Sequence, residues 1–153
     1  MAKLDFVAIT PFFNASPFLP QTITSLQSLV GEPKYIHILI DDNSSDSWES
    51  LVNKLDLSSI IILRNTSTSN LRPARARNMA LDFLEKESIS ANYIWFLDAD
   101  DFCSPDRWLA HLQTIGSAKG AVPSIIGTYT SSVRYQSSAS IPDSLYRTLH
   151  FPC

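Results

Sequence analysis

The sequence predicts an α/β fold, a mostly parallel β-sheet flanked by helices, and three observations predict it. Short apolar runs alternate with amphipathic stretches between residues 6 and 115. The runs "FVAIT" (6–10), "YIHILI" (35–40), "SIIIL" (59–63) and "YIWFL" (93–97) are almost continuously apolar. Such strands need a sheet covered on both faces, and therefore a parallel one. Polar clusters then follow the strands: Pro11 to Asn14, Asp41-Asp42, and Asp98, Asp100 and Asp101. In an open parallel sheet these positions share the carboxyl edge, where ligands bind.

Each element has a local reason. After the first strand, "PFFNASP" reads as a loop, with Ser16 as helix cap and Pro17 in the first turn. Leu19, Ile23, Leu26 and Val30 follow at helical spacing. "DDNSSD" ends the second strand, and Asp46 with Glu49 matches a capping box before the stripe Trp48, Leu51, Leu55. The polar loop "NTSTSN" (65–70) follows the third strand. Pro73 opens a helix to about Lys86, with Ala76, Ala80, Phe83 and Leu84 inward. Ser104-Pro105 caps the next helix, which turns Trp108, Leu112 and Ile115 to one side. Beyond 116 the patterning weakens: "SIIGTY" (124–129) reads as a fifth strand, "SVRYQ" as a short strand and 142–149 as a short helix.

Composition narrows the function. Apolar residues make up 44% and charged residues 18% of the 153, which is globular rather than disordered. The net charge of −3 gives no electrostatic footprint for nucleic acid. Cys103 and Cys153 make no disulfide framework and read as free thiols of a reducing compartment. That expectation places the chain in the cytoplasm, or at the inner face of a membrane. "MAKLDFVAIT" is too short for a signal peptide, and no window is apolar enough to span a bilayer.

The carboxylates of "LDADD" are self-repelling unless solvent, a basic neighbour or a cation accepts them. An isolated D-x-D is most simply a solvated acidic turn. Two further polar clusters on the same edge favour a ligand. Carboxylates suit hard cations such as Mg²⁺ and Mn²⁺, typically with substrate phosphate completing the shell. No His or Cys except Cys103 stands beside them, which argues against zinc. His37 lies within a buried strand and reads as a satisfied core residue, and Trp48, Trp95 and Trp108 read as core. Arg75 and Arg77 are about 200° apart around a helix, so one of them faces solvent.

"VAITPFFNASPFLPQTITSL", "ILIDDNSSD", "RPARARNMAL" and "WFLDADDFCSPDRW" come in an order and spacing that resemble the nucleotide-sugar-binding half of family 2-type glycosyltransferases with the GT-A fold, over about residues 5–115. The resemblance implies that Pro11 and Phe13 flank the nucleoside base and that Asn14 closes the turn. It implies that Asp42 hydrogen-bonds the base, commonly uracil, and that Arg72 and Arg77 reach the base or diphosphate. Asp98 would face the ribose or the metal, and Asp100 would hold Mn²⁺ or Mg²⁺ on the diphosphate. The implied reaction is inverting transfer from a nucleoside-diphosphate sugar, a UDP-sugar first, to a hydroxyl of a glycan, lipid or protein.

This sequence departs from that pattern. Phe13 stands where tyrosine is frequent, and Arg72 where many members carry glycine. The acceptor site and catalytic base of the family follow the matched region. Within 130–153 Asp143 is the lone candidate base, at a position suited to capping a helix. Residues 1–116 are accordingly expected to be the nucleotide-sugar-binding half, and 117–153 the start of a truncated acceptor side. The alternative reading is a non-catalytic or truncated nucleotide-sugar-binding module. Such a chain would transfer sugar poorly by itself and would self-associate through an unfinished sheet. A different doubly wound nucleotide-binding domain lacks support, because no glycine-rich loop follows the first strand.

Overall fold

A computed structural model describes residues 3–117. Four strands, β1 (Leu4–Phe12), β2 (Tyr35–Asp41), β3 (Ile60–Arg64) and β4 (Ala91–Phe96), form one parallel sheet in the order β3-β2-β1-β4. Helices α1 (Leu19–Gln27), α2 (Glu49–Val52), α3 (Arg72–Lys86) and α4 (Arg107–Ser117) connect or follow them. The readings of 124–129, "SVRYQ", 142–149, Asp143 and Cys153 lie outside the described residues.

Strand order dictates which face each helix covers. From β1 to β3 the chain steps in one direction, and right-handed crossovers put α1 and α2 on the same face. Reaching β4 means stepping back past β1, so α3 crosses on the opposite face. The packing follows. Phe6, Ala8 and Phe12 of β1 bury against Leu19, Ile23, Leu26, Trp48 and Trp108, while Val7 and Ile9 bury against Ala76, Ala80 and Leu84. The direction of travel reverses between β1 and β4, which makes their carboxyl ends the switch point.

Several local expectations change. β1 runs on through Pro11 and Phe12, which pair with Ile40 and Asp41 of β2. Proline is tolerated in this central strand because β4 has already ended there. Ile9 turns its carbonyl to Leu97 N (3.1 Å) and Phe12 turns its own to Asp42 N (2.9 Å), so Pro11 faces the β4 side, just beyond the last pair, Ile9 with Phe96. α1 begins at Leu19 with Pro20 in its first turn, and Ser16 does not cap it. Val30 lies past the helix and is exposed. The capping box of α2 is not formed either: Asp46 accepts from Ser16 N (2.8 Å) and Glu49 pairs with Arg64 (3.0 Å). β4 is half-buried on one face and exposed on the other. Ile94 and Phe96 stay exposed on the α3 side, because α3 lies over β1 and β2. Leu112 is likewise exposed rather than inward.

Candidate functional site

The carboxyl edge of the sheet is assembled by side chains that reach from one strand end to the next. Asn14, just past β1, has a left-handed backbone (φ 50°), which asparagine tolerates better than most residues. Its N–H donates to Ser44 Oγ (3.0 Å), and its Oδ1 accepts from Ser45 N (2.7 Å). Asp41 accepts from Ser44 N (2.8 Å) and is therefore a turn former. Asn43, also left-handed (φ 66°), donates to the Ser67 carbonyl (2.9 Å) and ties the loop after β2 to the loop after β3.

Asp42 is the hub of this edge. It is only 4% exposed, yet it accepts three hydrogen bonds: Asn65 Nδ2 (2.8 Å) and Leu71 N (2.7 Å) on Oδ1, and Arg72 N (2.9 Å) on Oδ2. A carboxylate offers about four acceptor positions, so one on Oδ2 remains. Asn65 completes the loop. Its Nδ2 also meets the Ser69 carbonyl (2.8 Å), and its Oδ1 accepts from Ser67 N (2.9 Å) and Ser67 Oγ (2.7 Å).

Arg72 starts α3 in the left-handed region (φ 65°), held there by its N–H on Asp42. Glycine reaches this conformation freely, whereas an L side chain loses roughly 1–2 kcal/mol, so arginine here carries a strain that glycine would not. Arg72→Gly is expected to stabilise the fold by about 0.5–1 kcal/mol, once the extra chain entropy of glycine is set against the relieved strain. Urea denaturation measures this, and an unmoved or lowered midpoint would mean that the turn costs arginine nothing.

The acidic end of β4 is built differently. Leu97 and Ala99 are buried, while Asp98 and Asp100 are exposed to solvent. Asp101 N donates to the Asp98 carbonyl (3.0 Å) and closes the turn. The Asp101 carboxyl is raised above its ordinary range, first by partial desolvation, then by the charges of Asp100 and Asp98, with Arg107 opposing. α1 braces this turn from below. Thr22 Oγ1, fully buried, lies 2.7 Å from the Ala99 carbonyl and 2.8 Å from that of Asp101, and Ser25 Oγ accepts from Cys103 N (3.2 Å). Burial pushes the Cys103 thiol up, as fits a packed, inert cysteine.

Arg77 Nη2 donates to Asp98 Oδ1 at 2.6 Å, and its guanidinium lies 5.3 Å from the centroid of the Phe96 ring. Arg75 is exposed, as the helical offset requires. Asp42, Arg72, α3, Arg77 and Asp98 thus form one connected path across the switch point. Phe13 is 51% exposed at the rim, beside the half-buried Pro11. No contact ties Phe13 or Asp100 to that path among the described residues. Nor do three His, Cys, Asp or Glu side chains converge into a ready-made metal cage among them. A cavity of about 380 Å³ between α1 and residues 102–105 carries no carboxylate or guanidinium and reaches the site only through Ser25 and Cys103 of the brace beneath the turn. No helix among the described residues is long and apolar enough to cross a membrane.

Sequence reasoning missed Asn65, Thr22 and Ser25. Only Asn65 left a signal, as a polar residue directly after a buried strand on the ligand edge.

Comparison with known proteins bears on this edge. The chain is 39% identical over 100 residues to an uncharacterized glycosyltransferase of Haemophilus influenzae, covering 65% of this chain and 37% of that one. It is 30% identical over 125 residues to the amylovoran biosynthesis glycosyltransferase AmsB of Erwinia amylovora, covering 78% and 38%. The chain thus spans less than two fifths of the length of these relatives. Among solved structures, Staphylococcus aureus TarS 1-349 in complex with UDP-GlcNAc superposes with a TM-score of 0.62 at 19% identity, covering 78% of this chain and 37% of that one. The mannosyltransferase PcManGT of Pyrobaculum calidifontis, in complex with GDP-Man and Mn²⁺, gives 0.61 at 17% identity, covering 77% and 34%. These superpositions establish the GT-A fold. The model of the family "Glycosyl transferase family 2" matches residues 7–151, and with that match over a parallel sheet in the order 3-2-1-4 the chain belongs to glycosyl transferase family 2.

Proposed function

We propose that this chain carries the donor side of a metal-dependent, inverting glycosyltransferase, which moves a sugar from a nucleoside-diphosphate sugar to an acceptor hydroxyl. Residues 1–116 form the nucleotide-sugar-binding half and 117–153 the start of the acceptor side. One observation carries the reading. Asp42 and Asp98 stand at opposite ends of a connected path across the switch point, with Arg72 and Arg77 between them and Asp100 two residues beyond Asp98.

Nucleotide comes first. Pro11 and Phe13 flank the base, and Asp42 takes one N–H of it on the acceptor position left on Oδ2. Uracil offers a single ring N–H, whereas guanine presents two adjacent donors that want two free carboxylate positions. The three bonds already made on Asp42 therefore favour UDP over GDP. Complexes of TarS with UDP-GlcNAc and of PcManGT with GDP-Man support nucleotide-sugar binding by this fold in general.

The metal fits the residues present. Asp98 and Asp100 are exposed hard oxygen donors within one turn, a pair that leaves the remaining positions to diphosphate and water. Bound there, Mn²⁺ or Mg²⁺ supplies positive charge against the developing charge of the leaving diphosphate. The protein's own part is positional. Thr22 and Ser25 hold the turn from beneath, and Arg72 and Arg77 present guanidinium groups to the phosphates. Asp100→Asn is expected to lower Mn²⁺-dependent UDP affinity at least about tenfold while the melting temperature of the free protein holds, because an exposed carboxylate is lost without a cavity. A thermal-shift series of nucleoside diphosphates with and without Mn²⁺ reads both effects. Equal affinity of variant and wild type in Mn²⁺ would overturn the metal assignment.

A further inference from the structure

The ion pair at the switch point has a chemical consequence for the order in which ligands are accepted. Arg77 Nη2 sits 2.6 Å from Asp98 Oδ1, so one oxygen of a proposed metal-binding carboxylate is already neutralised. The arginine is well held for this purpose. Its side chain is 30% exposed, its guanidinium packs on Phe96, and its helix is fixed by buried Ala76 and Ala80. Yet it is incompletely satisfied, because Arg77 Nε is buried with no hydrogen-bond partner among the described residues. Asp98, 57% exposed, remains open to a competing cation.

We propose that Arg77 is a resident counter-ion that hands Asp98 over to the metal. This inference rests on the donor-site reading above. Without nucleotide, the guanidinium competes with the divalent cation for Asp98 and repels it. An incoming diphosphate offers Arg77 an anion with more acceptor oxygens, which draws the guanidinium off Asp98 and frees the carboxylate. Metal and nucleoside diphosphate therefore bind with positive coupling, part of it carried by this one side chain. By linkage each ligand raises the affinity of the other by the same factor.

The test uses Mn²⁺ alone, UDP alone and both together. Free Mn²⁺ is counted by electron paramagnetic resonance, and UDP binding is followed by calorimetric titration. Arg77→Met keeps an unbranched, helix-compatible apolar side chain, shorter than arginine, and removes the guanidinium with its charge. It also removes the unpartnered Nε, so the fold is expected to hold. Metal-only affinity should rise about fivefold, the scale of a partly exposed ion pair. UDP affinity without metal should fall, and the metal–UDP coupling factor should shrink. Arg77→Lys, which keeps the charge and loses the fork, should lie between the two and serves if Arg77→Met is unstable. Unchanged or weaker metal-only binding in both variants overturns the handover. The two readings fail separately. A wild type whose UDP affinity ignores Mn²⁺ sinks the metal site itself, whereas a Mn²⁺-dependent wild type with indifferent Arg77 variants sinks the handover alone.

Discussion

Asp42→Ala is expected to destabilise the protein by about 3–5 kcal/mol and, on the proposed donor-site reading, to lower UDP affinity about a hundredfold, because the residue would then serve both fold and nucleotide. Its carboxylate anchors Asn65, Leu71 N and Arg72 N, which together hold residues 65–72 over the edge of the sheet. Hydrogen bonds to a charged acceptor are worth roughly 1.5–3 kcal/mol each and are not additive when they share one group. Alanine leaves three donors to find water in a place that is nearly closed to it. The left-handed Arg72 then has nothing to hold it, and the start of α3 frays. Denaturant titration reads the first effect and calorimetric titration with UDP the second. A stability cost below about 1 kcal/mol would show that water already serves these donors. Full UDP affinity would leave Asp42 a loop anchor only.

Acidification is expected to weaken the fold well before the carboxylates are protonated. His37 is 1% exposed in β2, with Nε2 2.8 Å from Thr10 Oγ1, and burial lowers its pKa from 6.5 to about 3. The folded state holds this imidazole neutral, while the unfolded chain takes up a proton near its ordinary pKa. Below that value the unfolded state binds more protons, so stability is full above about pH 6.5 and falls as the pH drops. The loss is about 1.4 kcal/mol per pH unit until the folded pKa near 3 is reached. His111, lowered to about 4 by burial and by Arg107, acts in the same direction with a smaller, partly exposed share. Denaturation midpoints between pH 7 and 4.5 check this. His37→Gln, which can still meet Thr10, should remove one proton's worth of the slope and leave the His111 share. A slope untouched by that substitution would mean that His37 is protonated in the folded state.

The strands were legible because burial leaves little choice: four apolar runs of strand length, spaced by amphipathic stretches, have few other arrangements. Asp42, Asp98 and Asp100 were legible as carboxylates at strand ends. Their partners were not. The donors to Asp42 come from 23 to 30 residues downstream, in a loop whose composition says only that it is polar. The caps failed for the reverse reason. Ser16 and the pair Asp46 and Glu49 carry correct local signals, but tertiary partners outbid the helix ends: Asp46 serves Ser16 N, and Glu49 serves Arg64. β4 shows what a single strand conceals. Its apolar run announces burial, but the exposure of Ile94 and Phe96 depends on where α3 lies, and that follows from strand order rather than from residues 91–96.

The cross-links among Asn14, Ser44, Ser45, Asn43, Ser67, Asn65 and Asp42 are all made by protein alone. Ordering a loosely held side chain at the moment of binding costs roughly 0.5–1.5 kcal/mol each, and on this flank the chain has met that cost in folding. On the proposed donor-site reading, the nucleoside would meet a surface whose shape does not depend on its arrival. The flank proposed for the phosphates is the opposite case, since there Arg77 would have to leave Asp98 before the carboxylate is free. Ligands that vary only in the base should thus differ little in how much motion they freeze. Those that vary in the number of phosphates should differ in both heat and entropy, because the phosphates decide whether the ion pair rearranges.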